Sequence, residues 1–162
     1  MADGDAGADV RTVDEAQVNA PLERVFRAAA DVERWPLLLS HYRYVRMLSR
    51  RADGGIVEMS ANRPFGPLNW PTWWTSEMWV DGERHEVRYR HIRGITRGMD
   101  VVWRLVPTPQ GTHVSLIHDW DGPAWPVVRW PAANWVIGPV FVHGIASRTL
   151  QGIARAVETD PA

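Results

Sequence analysis

The chain has 162 residues, a formal net charge of −1 and no cysteine. This length fits one domain, and the lack of cysteine excludes disulfide bonds, thiolate metal sites and a cysteine nucleophile. Because it has no basic excess, apolar leader or membrane-length apolar run, we expect no nucleic-acid or membrane partner and a cytoplasmic location.

The first forty residues predict a tail, one strand and two short helices. Residues 1–9 are acidic and rich in glycine and alanine, so we expect a disordered tail before a single domain over 10–158. Residues 10–18 alternate loosely and predict a strand. Pro21 opens the first helix, where its missing N–H costs nothing, and a second short helix is predicted around 32–39.

Six successive strands are predicted after Ser40. Asp-Gly and Gln-Gly pairs stand between extended runs, which is a strong signal for antiparallel hairpins. The predicted strands cover 42–50, 55–62, 67–80, 84–92, 98–107 and 112–121. A helix over 140–157 follows, because apolar residues recur there at helical spacing. Those residues are Val142, Ala146, Leu150, Ile153 and Val157.

This order predicts an α+β fold, with a curved antiparallel sheet of about seven strands wrapped around a long C-terminal helix. The helix must cover the concave face of the sheet, because each element has to bury an apolar side. A long meander twists and curls. If the sheet curls without closing on the helix, a cavity remains, and the side chains on its concave face determine the function.

The segment 69–79, NWPTWWTSEMW, contains four of the ten tryptophans of the chain. These indoles either fill a core or line a hollow for a flat, hydrophobic ligand. A strand alternates its side chains, so Trp74 and Met78 share one face and Trp73 lies on the other. We expect Trp74 to point inward.

Alternation also places two histidines on the inner face of the sheet. On the last strand His118 belongs to the larger and more apolar set, together with Trp120. On a nearby strand His91, together with Tyr89, lies opposite arginines that belong in water. Trp103 shares an apolar face with its neighbours. A lone histidine on such a face is commonly a core residue, but two among aromatic rings also suit catalysis.

Other kinds of site fit the sequence less well. His91 and His118 lack a clear third metal ligand, since Asp119 should point to the opposite face. For the same reason Ser115, His118 and Asp119 cannot form a catalytic triad. No glycine-rich loop precedes a helix, as phosphate binding would require. We therefore expect neither a metal nor a cofactor.

Two segments carry a resemblance to a known superfamily. Residues 19–26 read NAPLERVF and residues 31–42 read DVERWPLLLSHY. They resemble the entry to the START/Bet v1-like helix-grip proteins. The Trp-Pro pair followed by Ser-x-Tyr is most similar to the single-domain aromatase/cyclases of bacterial aromatic polyketide synthesis. The similarity extends over nearly the whole chain, including the strand order and the terminal helix.

The resemblance implies a set of pocket residues. The family's pocket tryptophans fall at Trp35, Trp74 and Trp103, with Trp73 beside Trp74. Its pocket tyrosine falls at Tyr42. The match at Trp103 requires one deletion in the loop before that strand.

The resemblance also implies polar positions, two of which hold histidine here. The family's glutamine on the last strand falls at His118, and an inward arginine falls at His91. A catalytic arginine on the long strand falls at Met78, and a helix asparagine falls near Leu150. Arg63, before the long strand, is a candidate substitute for that arginine.

The implied substrate is a poly-β-ketone tethered to an acyl carrier protein, which closes a ring by aldol condensation and then loses water. We predict that His118 acts as general base or acid, assisted by His91 and Tyr42, because imidazole titrates near neutrality. The predicted substrate-binding residues hold the chain in one curled conformation. They are Trp35, Trp74, Trp103, Trp73, Met78, Trp120 and Arg63.

Two other interpretations remain open at this stage. A non-catalytic carrier for a quinone, lipid or pigment needs the same cavity and tryptophans but gives the histidines no role. An interaction module with a solid core predicts no cavity. Product formation separates the enzyme from the carrier.

Overall fold

A computed structural model describes residues 10–65, 68–121 and 139–159. Within them, seven strands form one antiparallel sheet in the order β1-β7-β6-β5-β4-β3-β2. The strands are β1 (Val10–Val18), β2 (Tyr42–Arg51), β3 (Gly54–Phe65), β4 (Leu68–Asp81), β5 (Glu86–Gly94), β6 (Asp100–Thr108) and β7 (Gly111–Trp120). The predicted meander is confirmed, with β1 added beside β7.

Three α-helices accompany the sheet: α1 (Leu22–Ala30), α2 (Trp35–Leu38) and α3 (Pro139–Thr159), with a 3-10 turn at Val32–Arg34 before α2. Their bounds confirm the predicted helices to within a few residues. The tail predicted over 1–9 lies outside the described residues.

Helix α1 begins directly after Pro21, whose carbonyl accepts hydrogen bonds from the backbone N–H groups of Arg24 and Val25 at 3.0 and 3.2 Å. Proline suits this place because its fixed φ leads into the helix and its missing N–H would have no partner there. Val25 and Ala29 are the buried residues of α1. The helix packs against α3 and β6.

Helix α3 lies against the concave face of the sheet. The predicted apolar stripe is buried at Ala146, Leu150, Ile153 and Val157, while the side chain of Val142 is outside the described residues. Burial of this stripe with the inner face of the sheet forms the core, as expected when a curved sheet and a helix each hide one apolar side. Across the described ranges, no helix combines the length and hydropathy needed to span a bilayer.

Candidate active site

A cavity of about 70 Å³ lies between the concave face of the sheet and α3. It has room for a few water molecules and is smaller than the roughly 300 Å³ at which pockets for drug-sized ligands begin. The described residues that line it come from α2, α3 and most of the strands. They are Trp35, Tyr42, Met59, Trp74, Tyr89, His91, Thr96, Met99, Val101, Trp103, Leu116, His118, Ile145, Ala146 and Thr149.

Aromatic rings form one continuous wall of this cavity. The ring centroid of Trp35 lies 5.3 Å from that of Tyr42 and 5.7 Å from that of Trp103, and the centroid of Tyr42 lies 6.3 Å from that of Trp74. The indole of Trp35 is also fixed by a hydrogen bond from Nε1 to the carbonyl of Ala28, at 3.0 Å. The short α2 therefore places Trp35 rigidly at the end of the cavity.

A bulge between β4 and β5 brings Trp74 against His91. The two rings stack with centroids 5.9 Å apart and planes at 16°. In the register of the strands, Gly94 lies opposite Trp74, and His91 lies opposite Ser76. Because Gly94 has no side chain, the backbone of Trp73 and Trp74 can approach it closely.

His91 is held by the loop that joins β5 to β6. Its Nδ1 lies 2.6 Å from Oγ1 of Thr96, and its backbone bonds to Met99 and Gly98 at 2.9 and 2.8 Å. Burial, with a smaller contribution from nearby His118, lowers the pKa of His91 to about 3. The ring is therefore neutral at physiological pH, with Nδ1 engaged in the bond to Thr96.

His118 projects from β7 into the same cavity. Its Nδ1 is buried and has no hydrogen-bond partner among the described residues, and burial lowers its pKa to about 4. Our expectation that these imidazoles titrate near neutrality therefore needs correction, because no carboxylate among the described residues of the cavity wall offsets the cost of charging them in the core. A neutral imidazole with a free nitrogen can accept a proton or a hydrogen bond.

Two tyrosine hydroxyls complete the polar groups of the cavity. Burial raises the pKa of both Tyr42 and Tyr89 above the ordinary value, and the proximity of Tyr42 adds to the shift of Tyr89. Both side chains therefore remain protonated and can donate. The hydroxyl of Tyr89 is buried without a partner among the described residues. In folded proteins such unpaired buried groups are rare and commonly face a ligand or water.

Sequence reasoning placed Tyr89 on the inner face with His91 but did not select it as a site residue. The strand register indicates that Tyr89 belongs to the site, because both Tyr89 on β5 and His118 on β7 are paired with Val101 of the intervening β6. Strands pack about 4.8 Å apart, so the backbones of the two residues are roughly 10 Å apart on one face. A planar group lying over Val101 would meet both side chains.

Three predicted binding residues do not border the cavity. Trp73 lies on the convex side of β4 with an exposed fraction of 47%, as strand alternation requires. Met78 and Trp120 are buried but are not among the described residues that line the cavity. Met78 lies opposite Tyr89 in the strand register, and Nε1 of Trp120 donates to the carbonyl of Arg97 at 3.1 Å. The side chain of Arg63 lies outside the described residues.

Asp119 points away from the cavity, as alternation predicted, and forms an ion pair with Arg11 at 3.1 Å on the outer face. It therefore cannot combine with His118 in a triad. Within the described ranges, no group of three or more histidine, aspartate or glutamate side chains could hold a metal ion.

A curved antiparallel sheet wrapped around a long helix, with a cavity of aromatic side chains between them, is the helix-grip fold. A family model described as "Polyketide cyclase / dehydrase and lipid transport" matches residues 18–141. The chain belongs to this family, and the resemblance expected from residues 19–42 is confirmed.

Two Streptomyces relatives agree with the family match. A protein of Streptomyces cyaneus is 32% identical over 109 residues, which cover 67% of this chain and 70% of the relative. A protein of Streptomyces halstedii is 31% identical over 107 residues, which cover 65% of this chain and 96% of the relative. Both carry provisional names as polyketide cyclases.

Solved structures show the same fold at low sequence identity. The protein TTHA0849 from Thermus thermophilus superposes with a TM-score of 0.76 at 21% identity, covering 95% of this chain and 99% of its own. The Zhui aromatase/cyclase from Streptomyces sp. R1128 gives 0.75 at 19% identity, with 93% and 94% covered. Ginseng major latex-like protein 151 gives 0.73 at 9% identity, with 93% and 99% covered.

Proposed function

We propose that this protein is an aromatase/cyclase that converts a poly-β-ketone, presented on an acyl carrier protein, into an aromatic ring. The reaction comprises an aldol ring closure followed by loss of water. Membership of the polyketide cyclase/dehydrase family and the names of the Streptomyces relatives support the reaction class.

One observation carries the proposal: a neutral imidazole and two protonated phenols converge on an apolar cavity, and two of these groups have unpaired polar atoms. Aldol chemistry needs a base that removes a proton from a methylene between two carbonyls, and an acid that protonates the carbonyl under attack. His118 is suited to the first role and Tyr42 to the second.

His118 begins the reaction by accepting the methylene proton on a nitrogen of its neutral ring. Burial opposes the resulting imidazolium, but the enolate that forms beside it supplies an opposite charge and stabilises it. The Tyr89 hydroxyl, on the other side of Val101, donates a hydrogen bond to the enolate oxygen in an environment where such bonds are strong. Ring closure leaves an alkoxide, which Tyr42 protonates.

Loss of water uses the same two groups again. His118, whose lowered pKa favours release of its proton to water, returns to the neutral state and removes a second proton from carbon. Tyr42 supplies a proton to the departing hydroxyl, which leaves as water. Two protons thus leave carbon through His118 and two reach oxygen through Tyr42, so the atoms balance for one molecule of water.

The aromatic wall supplies the restraint that the reaction needs. A poly-β-ketone can fold and close in many ways, and holding it in one reactive conformation accounts for a large part of such a rate enhancement. Trp35, Trp74 and Trp103 offer flat surfaces against which the chain can lie. His91, stacked on Trp74 and bonded to Thr96, fixes the orientation of one of these surfaces.

The test is His118→Ala with a linear tri-β-ketone N-acetylcysteamine thioester as the substrate mimic. Formation of the aromatic product above the spontaneous rate should fall by about 100-fold or more, the usual contribution of a general base. His113→Ala is the matched control, because His113 lies on the outer face of the same strand. Equal rates and product distributions for both variants would contradict the role of His118.

A non-catalytic carrier is the second candidate function. It is favoured by the described lining of the cavity, which contains no charged side chain, and by the lipid transport included in the family description. A carrier would bind a quinone or polyphenol and quench tryptophan fluorescence, yet leave the cyclisation of the tri-β-ketone thioester at its spontaneous rate. Product formation therefore separates the two functions.

A further inference from the structure

Tyr42 lies deep in the protein, and in the mechanism above it gives up a proton twice in each turnover. Its hydroxyl lies 3.5 Å from Oγ1 of Thr149, and Oγ1 of Thr149 lies 3.0 Å from Nε2 of His41. We propose that His41 and Thr149 form a proton relay that returns protons from solvent to Tyr42. This inference rests on the proposed function and describes how Tyr42, the proposed acid, regains its proton.

The relay runs from the cavity to the surface. Tyr42 and Thr149 both line the cavity and are buried, whereas His41 is partly exposed at the junction of α2 and β2. The rings of His41 and Tyr42 are 4.9 Å apart, so the imidazole is held in place beside the tyrosine. His41 is therefore the member of the chain that can exchange protons with water.

The hydroxyl of Thr149 can donate its hydrogen bond to either of two acceptors. Its hydroxyl has a single proton, which the structure places within reach of two acceptors: the carbonyl of Ile145 at 2.8 Å and the hydroxyl of Tyr42. A bond from threonine to a carbonyl one turn back is a common way to hold the side chain on a helix. The proton can rotate from Ile145 to Tyr42 without movement of the oxygen.

The proton balance of one relay cycle is simple. Tyr42 gives its proton to the substrate oxygen and takes one from Thr149, Thr149 takes one from Nε2 of His41, and Nδ1 of His41 takes one from solvent. Each protein group gains one proton and loses one, and His41 ends as its other neutral tautomer. Rotation of the imidazole ring, or exchange of its two N–H positions with solvent, restores the N–H toward Thr149 before the next transfer. Burial and the nearby Arg148 lower the pKa of His41 to about 4, so the ring is neutral and passes protons without storing charge.

Two substitutions interrupt the relay while preserving shape. Thr149→Val removes the hydroxyl from a side chain of the same form, and His41→Gln keeps an N–H donor that cannot transfer a proton onward. Each should lower kcat for the tri-β-ketone thioester by roughly tenfold, a modest share of what proton transfer contributes, with KM unchanged. Thr149→Ser should restore kcat, and His113→Gln should leave it unaltered.

The decisive readout is the dependence of kcat on the deuterium fraction of the solvent. A chain of several protons gives a curved dependence in the wild type, and Thr149→Val should make it straight because only one transfer remains. Circular dichroism and thermal unfolding establish that each variant is folded. Merely structural roles for Thr149 and His41 would leave the curvature in place.

Tyr42→Phe separates failure of the relay from failure of the proposed function. If Tyr42→Phe lowers kcat but Thr149→Val and His41→Gln leave both kcat and the curvature unchanged, the relay is refuted and the role of Tyr42 stands. If Tyr42→Phe itself has no effect, the proposed acid is refuted and the relay with it.

Discussion

Burial determines what the cavity imidazoles can do. His118 is a neutral base because burial disfavours its protonated form, and the same cause keeps Tyr42 and Tyr89 protonated. One apolar environment thus separates the base from the acids, since burial disfavours the charged form of each group. Residue type and strand face indicate the candidates, but the direction of each pKa shift depends on depth in the folded protein.

The pH dependence of the reaction tests this residue-level argument. Because the pKa of His118 is about 4, the base is available at all pH values well above it. The value of kcat/KM should therefore stay constant between about pH 8 and 6, where an ordinary histidine near 6.5 would already lose activity. An NMR titration of the imidazole Cε1–H resonances gives the pKa directly, and a transition near pH 6.5 for His118 would contradict the assignment.

At the scale of elements, the path of β4 and β5 decides which rings meet. Gly94 has φ of +100°, and a Cβ atom built on it would lie 2.6 Å from the carbonyl oxygen of Trp73. Glycine is required there on both counts, because L-residues are strained at this φ and no side chain fits. The close approach involves the backbone of Trp74, the residue whose indole stacks on His91.

Gly94→Ala should therefore destabilise the protein and disturb the aromatic wall. We expect a loss of about 2 kcal/mol or more in unfolding free energy, from strain and from displaced backbone, measured by urea denaturation. Gly98→Ala is a matched control, since Gly98 has φ of +91° but nothing within 4 Å of its added Cβ. Equal losses of unfolding free energy in both variants would show that the positive φ alone causes the effect and that the close approach of the Trp73 carbonyl does not contribute.

The elements also show how far the sequence carries the site. The two-residue period of a strand correctly placed His91, His118, Trp74 and Trp103 on the inner face, and hairpin signals located the strands that bear them. That period gives the face of a side chain but not whether neighbouring side chains cover it. Which inner-face residues border the cavity depends on how the sheet and α3 pack together, so neither the exclusion of Met78 and Trp120 nor the contribution of Thr149 was predictable.

At the scale of the whole molecule, buried neutral histidines make the fold sensitive to acid. His41, His91 and His118 have pKa values lowered by burial to about 4, 3 and 4. Between those values and the unfolded value near 6.5, the unfolded chain binds more protons than the folded one. Unfolding free energy therefore falls as pH decreases through this window, because the slope follows the difference in bound protons.

His118→Gln removes one of these three titrating groups, so the unfolding free energy of the variant should depend less steeply on pH. Between about pH 7 and pH 5 the wild type should lose about 2 kcal/mol more than the variant, as measured by urea denaturation at each pH. His113→Gln, a substitution on the outer face, should follow the wild type. An unchanged slope in His118→Gln would indicate that His118 is protonated in the folded state at these pH values.

The narrow cavity has a consequence for selectivity. At about 70 Å³, it is smaller than the substrate proposed for it, so sheet and helix must part when a polyketide enters. The free energy for that separation comes from the contacts that the incoming chain makes. Short fragments make few contacts and meet this cost only in part, so they bind weakly, whereas a long chain meets it in full. Selection for long chains would thus arise from the rigidity of the ligand-free protein, and it would need no residue that contacts the end of the chain.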